Sequence, residues 1–281
     1  MQCASYAKIN LFLEVLGKTQ DEYHQVETLL CTIDLHDNIK YALTKKRGVK
    51  MWANLPELAA EDNLVYKVAS RIEAVHKPRS GVEITLEKIV PIAAGLGGGS
   101  SNAANAIMVL ADLWELDLDA EEKGRIASSL GSDINFFLRG GTAWGTGRGE
   151  VINGMDDIML DNILLVNPKI RISSSEAYRL VKIPESSDRK VWDPSDPRRS
   201  CFNRLEAGIS CRYPEIVEIL GSMLRFGAWP ALMSGSGSTC FGVFDSMDDL
   251  ISCQQYHDGK GHWTYATRTI SRDEYQSVFK A

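Results

Sequence analysis

Between an alternating strand and an amphipathic helix the chain runs Pro91-Ile92-Ala93-Ala94-Gly95-Leu96-Gly97-Gly98-Gly99-Ser100-Ser101-Asn102, with four glycines in the five positions from Gly95 to Gly99. Without Cβ atoms the backbone can turn several N–H groups to one side, which makes a concave nest for an anion. Upstream, Val82, Ile84 and Leu86 alternate with Glu83, Thr85 and Glu87, the period of a strand that Pro91 then ends. Downstream, Ala104, Ile107, Leu110, Ala111 and Trp114 share one helical face, so Ser100-Ser101-Asn102 predicts the cap of a helix from Ala103 to about Trp114. Strand, glycine loop and helix N-terminus in that order hold phosphate, because free amides and the positive end of the helix dipole converge there. The loop lacks the Gly-Lys-Ser/Thr end of a P-loop, and Ser100 stands where the dinucleotide fingerprint needs glycine.

The rest of the chain bounds what this nest can serve. At 281 residues and 44% hydrophobic composition it can fill one large domain or two ordinary ones. A net charge of −6 with no basic stripe argues against nucleic acid as a partner, whereas a small phosphorylated ligand needs only a local positive site. The cysteines, Cys3, Cys31, Cys201, Cys211, Cys240 and Cys253, have no Cys-x-x-Cys spacing and read as reduced core thiols. The histidines do not fall at metal-ligand spacing, and metal ligands stay unassigned. With no signal-peptide layout and no apolar run of membrane-spanning length, the expectation is a cytoplasmic protein without a membrane partner. The turn-rich stretch from Gly140 to Glu150 predicts a boundary, giving domains of residues 1–150 and 151–281.

Several shorter patterns accompany the loop. In the strand from Ala7 to Val15, the apolar Ile9, Leu11, Leu13 and Val15 share one face and place Lys8, Asn10 and Phe12 on the other, which reads first as a solvated face. Tyr23 and His24 stand where the chain leaves that strand, and residues 34–44 predict a further strand pair. Asn63 or Asp62 caps a helix through about His76, and Asp117 to Leu130 reads as a further helix, with Asp119 and Glu122 as a capping pair and Gly131 in the stop position. Asp133, set between that glycine and an apolar run, either caps the next helix or pairs with a cation, for which Lys8 is a candidate. Ser173 and Glu176 open another helix, residues 184–199 predict a surface loop, and Ser234-Gly235-Ser236-Gly237 forms a second possible anion nest between two strands.

Three of these motifs, Ala7-Lys8-Ile9-Asn10-Leu11, the Pro91 to Ala104 stretch and Ser234-Gly235-Ser236-Gly237, resemble the three signature motifs of the GHMP small-molecule kinases, in their order and across nearly the whole chain. Tyr23-His24, Asn63-Leu64-Val65 and Thr142-Ala143-Trp144-Gly145 are similar to the pattern of members with a cytidine-diphosphate substrate. The resemblance implies a two-domain α/β and α+β fold: a ribosomal-S5-like N-terminal domain that binds ATP, a ferredoxin-like C-terminal domain on the substrate side, and a cleft between them. It implies phosphoryl transfer from ATP with Mg2+ to an alcohol, Asp133 accepting the hydroxyl proton and Lys8 keeping it ionised while offsetting charge on the transferring group. ATP contacts would come from Pro91, Ile92, Ala93, Ala94, Gly95 and Leu96, from the amides of Gly97, Gly98, Gly99, Ser100 and Ser101, from Asn102, and from Asn63 and Lys88 on the adenine side. Substrate contacts would come from Asn10, from Tyr23 and Tyr178 stacked on the two faces of cytosine, from His24, and from Ser234, Gly235, Ser236 and Gly237. Tyr6 and Glu22 depart from the proline and glycine common in the family and bear on affinity, and Ser132 replaces a usual alanine. A homoserine- or mevalonate-type kinase and a non-catalytic nucleotide-binding protein are the alternatives, and a monomer or weak homodimer is expected.

Overall fold

The first two strands, β1 (Gln2–Lys18) and β2 (His24–Thr44), form one long antiparallel hairpin, so the strand pair expected at residues 34–44 is the far half of a single strand. The structure, a computed structural model, describes residues 1–58 and 61–279. β1 carries one extra residue between the pairs Asn10 with Leu30 and Phe12 with Leu29. This bulge at Leu11 reverses the alternation of side chains. Ile9, Leu11 and Phe12 therefore enter the same core cluster, while Lys8, Asn10 and Leu13 face the cleft. Two expectations are corrected here: Phe12 does not accompany Lys8 and Asn10, and their face is not solvated, each being only 3% exposed.

The chain continues through β3 (Val49–Ala53), α1 (Leu64–His76), β4 (Gly81–Glu87), α2 (Gly98–Leu113), α3 (Ala120–Ser128), α4 (Ile134–Phe137), β5 (Thr142–Thr146) and β6 (Val151–Gly154). These strands build a sheet in the order β3-β4-β2-β1, with β5 sharing the β2 edge beyond β4 and carrying β6. Asn63 caps α1 through Oδ1, which accepts from Val65 N at 2.9 Å, and the helix buries Val65, Val68 and Ile72. Asp119 caps α3 by accepting from Glu122 N at 2.7 Å. α2 starts five residues ahead of the expected Ala103. Gly97 takes the N-cap at φ 70°, a left-handed conformation suited to glycine, so Ser100 and Ser101 lie inside the first turn rather than at the cap.

The C-terminal half comprises β7 (Ile163–Asn167), α5 (Ser174–Leu180), α6 (Pro197–Ser200), β8 (Phe202–Asn203), α7 (Arg204–Arg212), α8 (Pro214–Arg225), β9 (Ala231–Met233), β10 (Cys240–Val243), α9 (Met247–Gly259), β11 (Trp263–Thr267) and α10 (Arg272–Ser277). Its sheet runs β11-β7-β10-β9, while the short β8 returns to the first sheet and pairs in parallel with β1. By sheet membership the changeover lies between Gly154 and Ile163 and not at residue 150, because the turn-rich stretch there belongs to the β5–β6 hairpin. Alternation along β7 fixes the layers: Leu164 and Val166 face the cluster under α7, α8 and α9, whereas Ile163 and Leu165 pack on Ile9, Leu11, Leu29 and Ile33 of the first sheet. Each such buried aliphatic contributes about 1.5–3 kcal/mol, enough in sum to hold the two sheets face to face. The loop at residues 184–199 crosses the edge of β1, where Arg189 Nη2 donates to Leu16 O at 2.6 Å and Lys190 N to the buried Glu14 Oε2 at 2.8 Å.

Candidate active site

The glycine loop, α2, β1 and the β9–β10 turn enclose a cleft of about 570 Å³. At its base the start of α2 is open: Ser101 N donates to Gly97 O at 2.9 Å, so the amides left without a helical acceptor are those of Gly97, Gly98, Gly99 and Ser100. Four N–H groups and the helix dipole thus point at one place. Ser101, expected among the phosphate amides, is buried, with Oγ 2.8 Å from Ser5 Oγ. The loop is tied down on both sides. Lys8 N donates to Leu96 O at 3.0 Å and Thr239 N to Ala94 O at 3.2 Å. Pro91, Ile92, Ala93, Ala94, Gly95 and Leu96 all line the cleft.

Across from the helix start, Lys8 Nζ lies 3.6 Å from Asp133 Oδ2. Asp133 sits at the N-cap position of α4 yet makes no side-chain cap bond, so helix capping does not account for it. The Lys8 ammonium donates to Asn10 Oδ1 at 2.6 Å, and Asn10 Nδ2 donates to Thr28 Oγ1 at 2.8 Å. Asn10 thereby holds Lys8, and it lines the cleft with a second Nδ2 hydrogen not used in these two bonds. Burial lowers the pKa of Lys8, and the Asp133 carboxylate acts in the opposite sense. Asp133 is the one acidic side chain among the described residues lining the cleft, against three cationic ones, Lys8, Lys88 and Arg148.

On the wall expected to face adenine, Lys88 is ion-paired to Asp37, whose carboxylate also accepts from Ile89 N at 2.7 Å, Val90 N at 2.8 Å and Asn102 Nδ2 at 2.9 Å. Asp37 is fully buried and was not singled out from the sequence. It fastens the approach to the glycine loop and the first turn of α2 to β2. Burial lowers the Lys88 pKa, with Asp37 opposing. Asn63 lines the same wall while capping α1, and its Nδ2 donates to Leu58 O at 2.7 Å.

At the other end the aromatic arrangement differs from expectation. Tyr178 lines the cleft, but its ring is stacked on His24 at 5.0 Å between centroids, and neither His24 nor Tyr23 lines the cleft. Tyr23 is 56% exposed and lies under the Arg148 guanidinium at 4.5 Å. The cause is the turn joining β1 to β2: Glu22 at φ 65° and the bond from Thr19 Oγ1 to Tyr23 O, at 3.0 Å, turn Tyr23 outward. Of the second nest, Gly235 and Ser236 line the cleft, whereas Ser234 is buried with Oγ donating to Gly95 O at 3.0 Å, and Gly237 N donates to Ser234 O at 2.9 Å. Ser234 and Gly237 therefore shape the turn.

Two sheets with a cleft between them, an open helix start opposite a lysine–aspartate pair and a cation-rich lining define the class: a small-molecule kinase. Models of the N-terminal and C-terminal domains of GHMP kinases match residues 63–141 and 196–256. The chain is 38% identical to the 4-diphosphocytidyl-2-C-methyl-D-erythritol kinase of Pelotomaculum thermopropionicum, covering 89% of this chain and 90% of that one. It is likewise 38% identical to the enzyme of that name from Thermoanaerobacter pseudethanolicus, over 95% and 96% of the two chains. A crystal structure of 4-(cytidine 5'-diphospho)-2C-methyl-D-erythritol kinase superposes with a TM-score of 0.82 at 30% identity, covering 96% of this chain and all of that one. The chain belongs to the 4-diphosphocytidyl-2-C-methyl-D-erythritol kinase family of the GHMP kinases. It is an enzyme that phosphorylates an alcohol with ATP as cosubstrate. A homoserine kinase from Cytophaga hutchinsonii, at 15% identity and a TM-score of 0.71, shares the fold alone.

Proposed function

We propose that this enzyme phosphorylates the 2-hydroxyl of 4-diphosphocytidyl-2-C-methyl-D-erythritol, a step of the non-mevalonate route to isoprenoid precursors. The observation that carries the site assignment is the meeting, in one cleft, of the unpaired amides from Gly97 to Ser100 with the Lys8–Asp133 pair. The ATP phosphates lie on those amides. The acceptor hydroxyl lies between the γ-phosphate and Asp133, which takes its proton as the oxygen attacks phosphorus and ADP departs. Lys8 orients Asp133 and offsets negative charge on the transferring group. The Tyr178 ring, backed by His24, offers the platform for cytosine.

The donor set suits Mg2+ carried in on the nucleotide. Such an ion takes most of its oxygens from phosphate and water, and the cleft offers the Ser100 hydroxyl and the Asp133 carboxylate beside the open amides. When bound it would neutralise charge on the β- and γ-phosphates. Among the described residues no group of three His, Cys, Asp or Glu side chains could hold a metal by itself, in keeping with an ion that arrives on its substrate. The same proposal takes the enzyme as cytoplasmic and as a monomer or weak homodimer.

The test is ADP release from Mg-ATP and 4-diphosphocytidyl-2-C-methyl-D-erythritol by the wild type and by Asp133→Asn. Removing a general base lowers turnover by roughly 10²–10⁴-fold. No turnover by the wild type, with ATP still bound, rejects the acceptor. Turnover undiminished in Asp133→Asn rejects the base.

A further inference from the structure

Asn203 ends the two-residue strand β8, where its backbone pairs with Leu13 of β1, and its side chain is buried. Oδ1 accepts from Leu205 N at 3.0 Å, capping α7. Nδ2 donates to two carbonyls of the β9–β10 turn, Met233 O at 2.7 Å and Gly235 O at 2.8 Å. A helix cap needs only the oxygen, and strand pairing only the backbone. The two donated bonds are additional, and both end on the turn that borders the cleft.

That turn is packed against the lysine of the site. A Cβ built on Gly235, which has φ 53°, would stand 3.0 Å from Lys8 Nζ and 3.1 Å from Asn10 Oδ1. With the Gly235 carbonyl held by Asn203, the trans peptide plane sends Ser236 N–H the opposite way, and both Gly235 and Ser236 line the cleft. We infer that Asn203 is a positioning residue for phosphoryl transfer: through the Gly235–Ser236 peptide it fixes the wall against which Lys8 is set and aims Ser236 N–H at the transferring group. The inference rests on Lys8 and Asp133 being the transfer pair.

Asn203→Asp tests this role, since aspartate keeps the volume and the α7 cap while the two donors give way to a carboxylate oxygen facing the Met233 and Gly235 carbonyls. The expected result is a kcat lower on the order of 10–100-fold, a KM for ATP within about threefold of wild type, and cooperative unfolding. The introduced carboxyl, raised in pKa by burial against two carbonyls, regains one donor when protonated, so the ratio of variant to wild-type kcat rises as the pH is lowered from about 8 to about 6. If that variant does not fold, Asn203→Ser, which also caps, is measured instead and shows the same kcat loss without the pH-dependent recovery. Wild-type kcat in the folded variant, or an equal rise in KM with kcat unchanged, overturns the inference. Asp133→Asn is assayed beside it: full turnover there removes the transfer pair and the inference with it, whereas loss there with full turnover in the Asn203 variant removes the inference alone.

Discussion

Replacing Gly99 by alanine separates the helix from the phosphate site, because the two respond with opposite signs. Gly99 is the second residue of α2, is exposed, and has no positive φ, and a Cβ there would meet only Leu64 Cδ1 at 3.9 Å. As a helical position it gains about 0.5–1 kcal/mol from the change, which corresponds to about 2 °C in Tm for a chain of this size. Cα–Cβ bonds on a helix tilt toward its N-terminus, so the methyl leans over the unpaired amides of the first turn. A phosphate oxygen bonded to an amide at about 2.9 Å leaves no room for it. Losing one hydrogen bond to a charged group weakens ATP by about 1.5–3 kcal/mol, a rise in KM of roughly tenfold or more. Thermal unfolding and steady-state kinetics at saturating acceptor read the two effects separately. A raised Tm with an unchanged KM for ATP refutes the placement of the phosphates on this helix start, and a lowered Tm refutes the helical environment itself.

Gly95→Ala, four residues earlier, is expected to destabilise: φ is +77° and the new Cβ would lie 2.0 Å from Ser234 O, so left-handed strain and overpacking together cost on the order of 3 kcal/mol, read as a lower urea midpoint. A midpoint equal to wild type would show that the glycine loop and the β9–β10 turn are not in contact. In the C-terminal domain, His257 is buried between Ser222 Oγ at 2.9 Å and His262 Nδ1 at 3.0 Å, and burial, with His262 and Lys260 nearby, pushes its pKa from 6.5 to about 4. Between those values the unfolded chain binds a proton that the folded chain does not. Its contribution is therefore complete above about pH 6.5 and declines as the pH falls toward 4, by about 1.4 kcal/mol per unit. Urea midpoints at pH 7 and pH 5 should converge in His257→Asn, and an undiminished difference there assigns the acid sensitivity to other groups.

How much of this was legible depends on whether a feature is set by its sequence neighbours or by distant ones. The glycine run, the Asn63 and Asp119 caps and the alternating strand β4 are local, and the structure places each where the pattern predicts. The start of α2 differs from the pattern for an equally local reason: Ser100 and Ser101 are good caps, but Gly97 already holds the left-handed turn that ends the loop. The sides of Phe12 and Leu13 escaped a local reading because the bulge at Leu11 is a property of the register with β2, and the burial of Lys8 and Asn10 is a property of the turn at Gly235, more than two hundred residues away. Tyr23 is turned outward by the turn before it, whose left-handed residue is Glu22, a conformation that glycine or asparagine adopts more readily than glutamate. Asp37 is the instructive omission. It stands in the period-two row of Ile39 and Tyr41, both core residues, and a carboxylate in an apolar row must find donors or unfold the strand. The anomaly is visible in the sequence, but its resolution needs Lys88, Ile89, Val90 and Asn102, which the fold alone assembles, and through those donors Asp37 fastens the approach to the glycine loop and the start of α2 to β2.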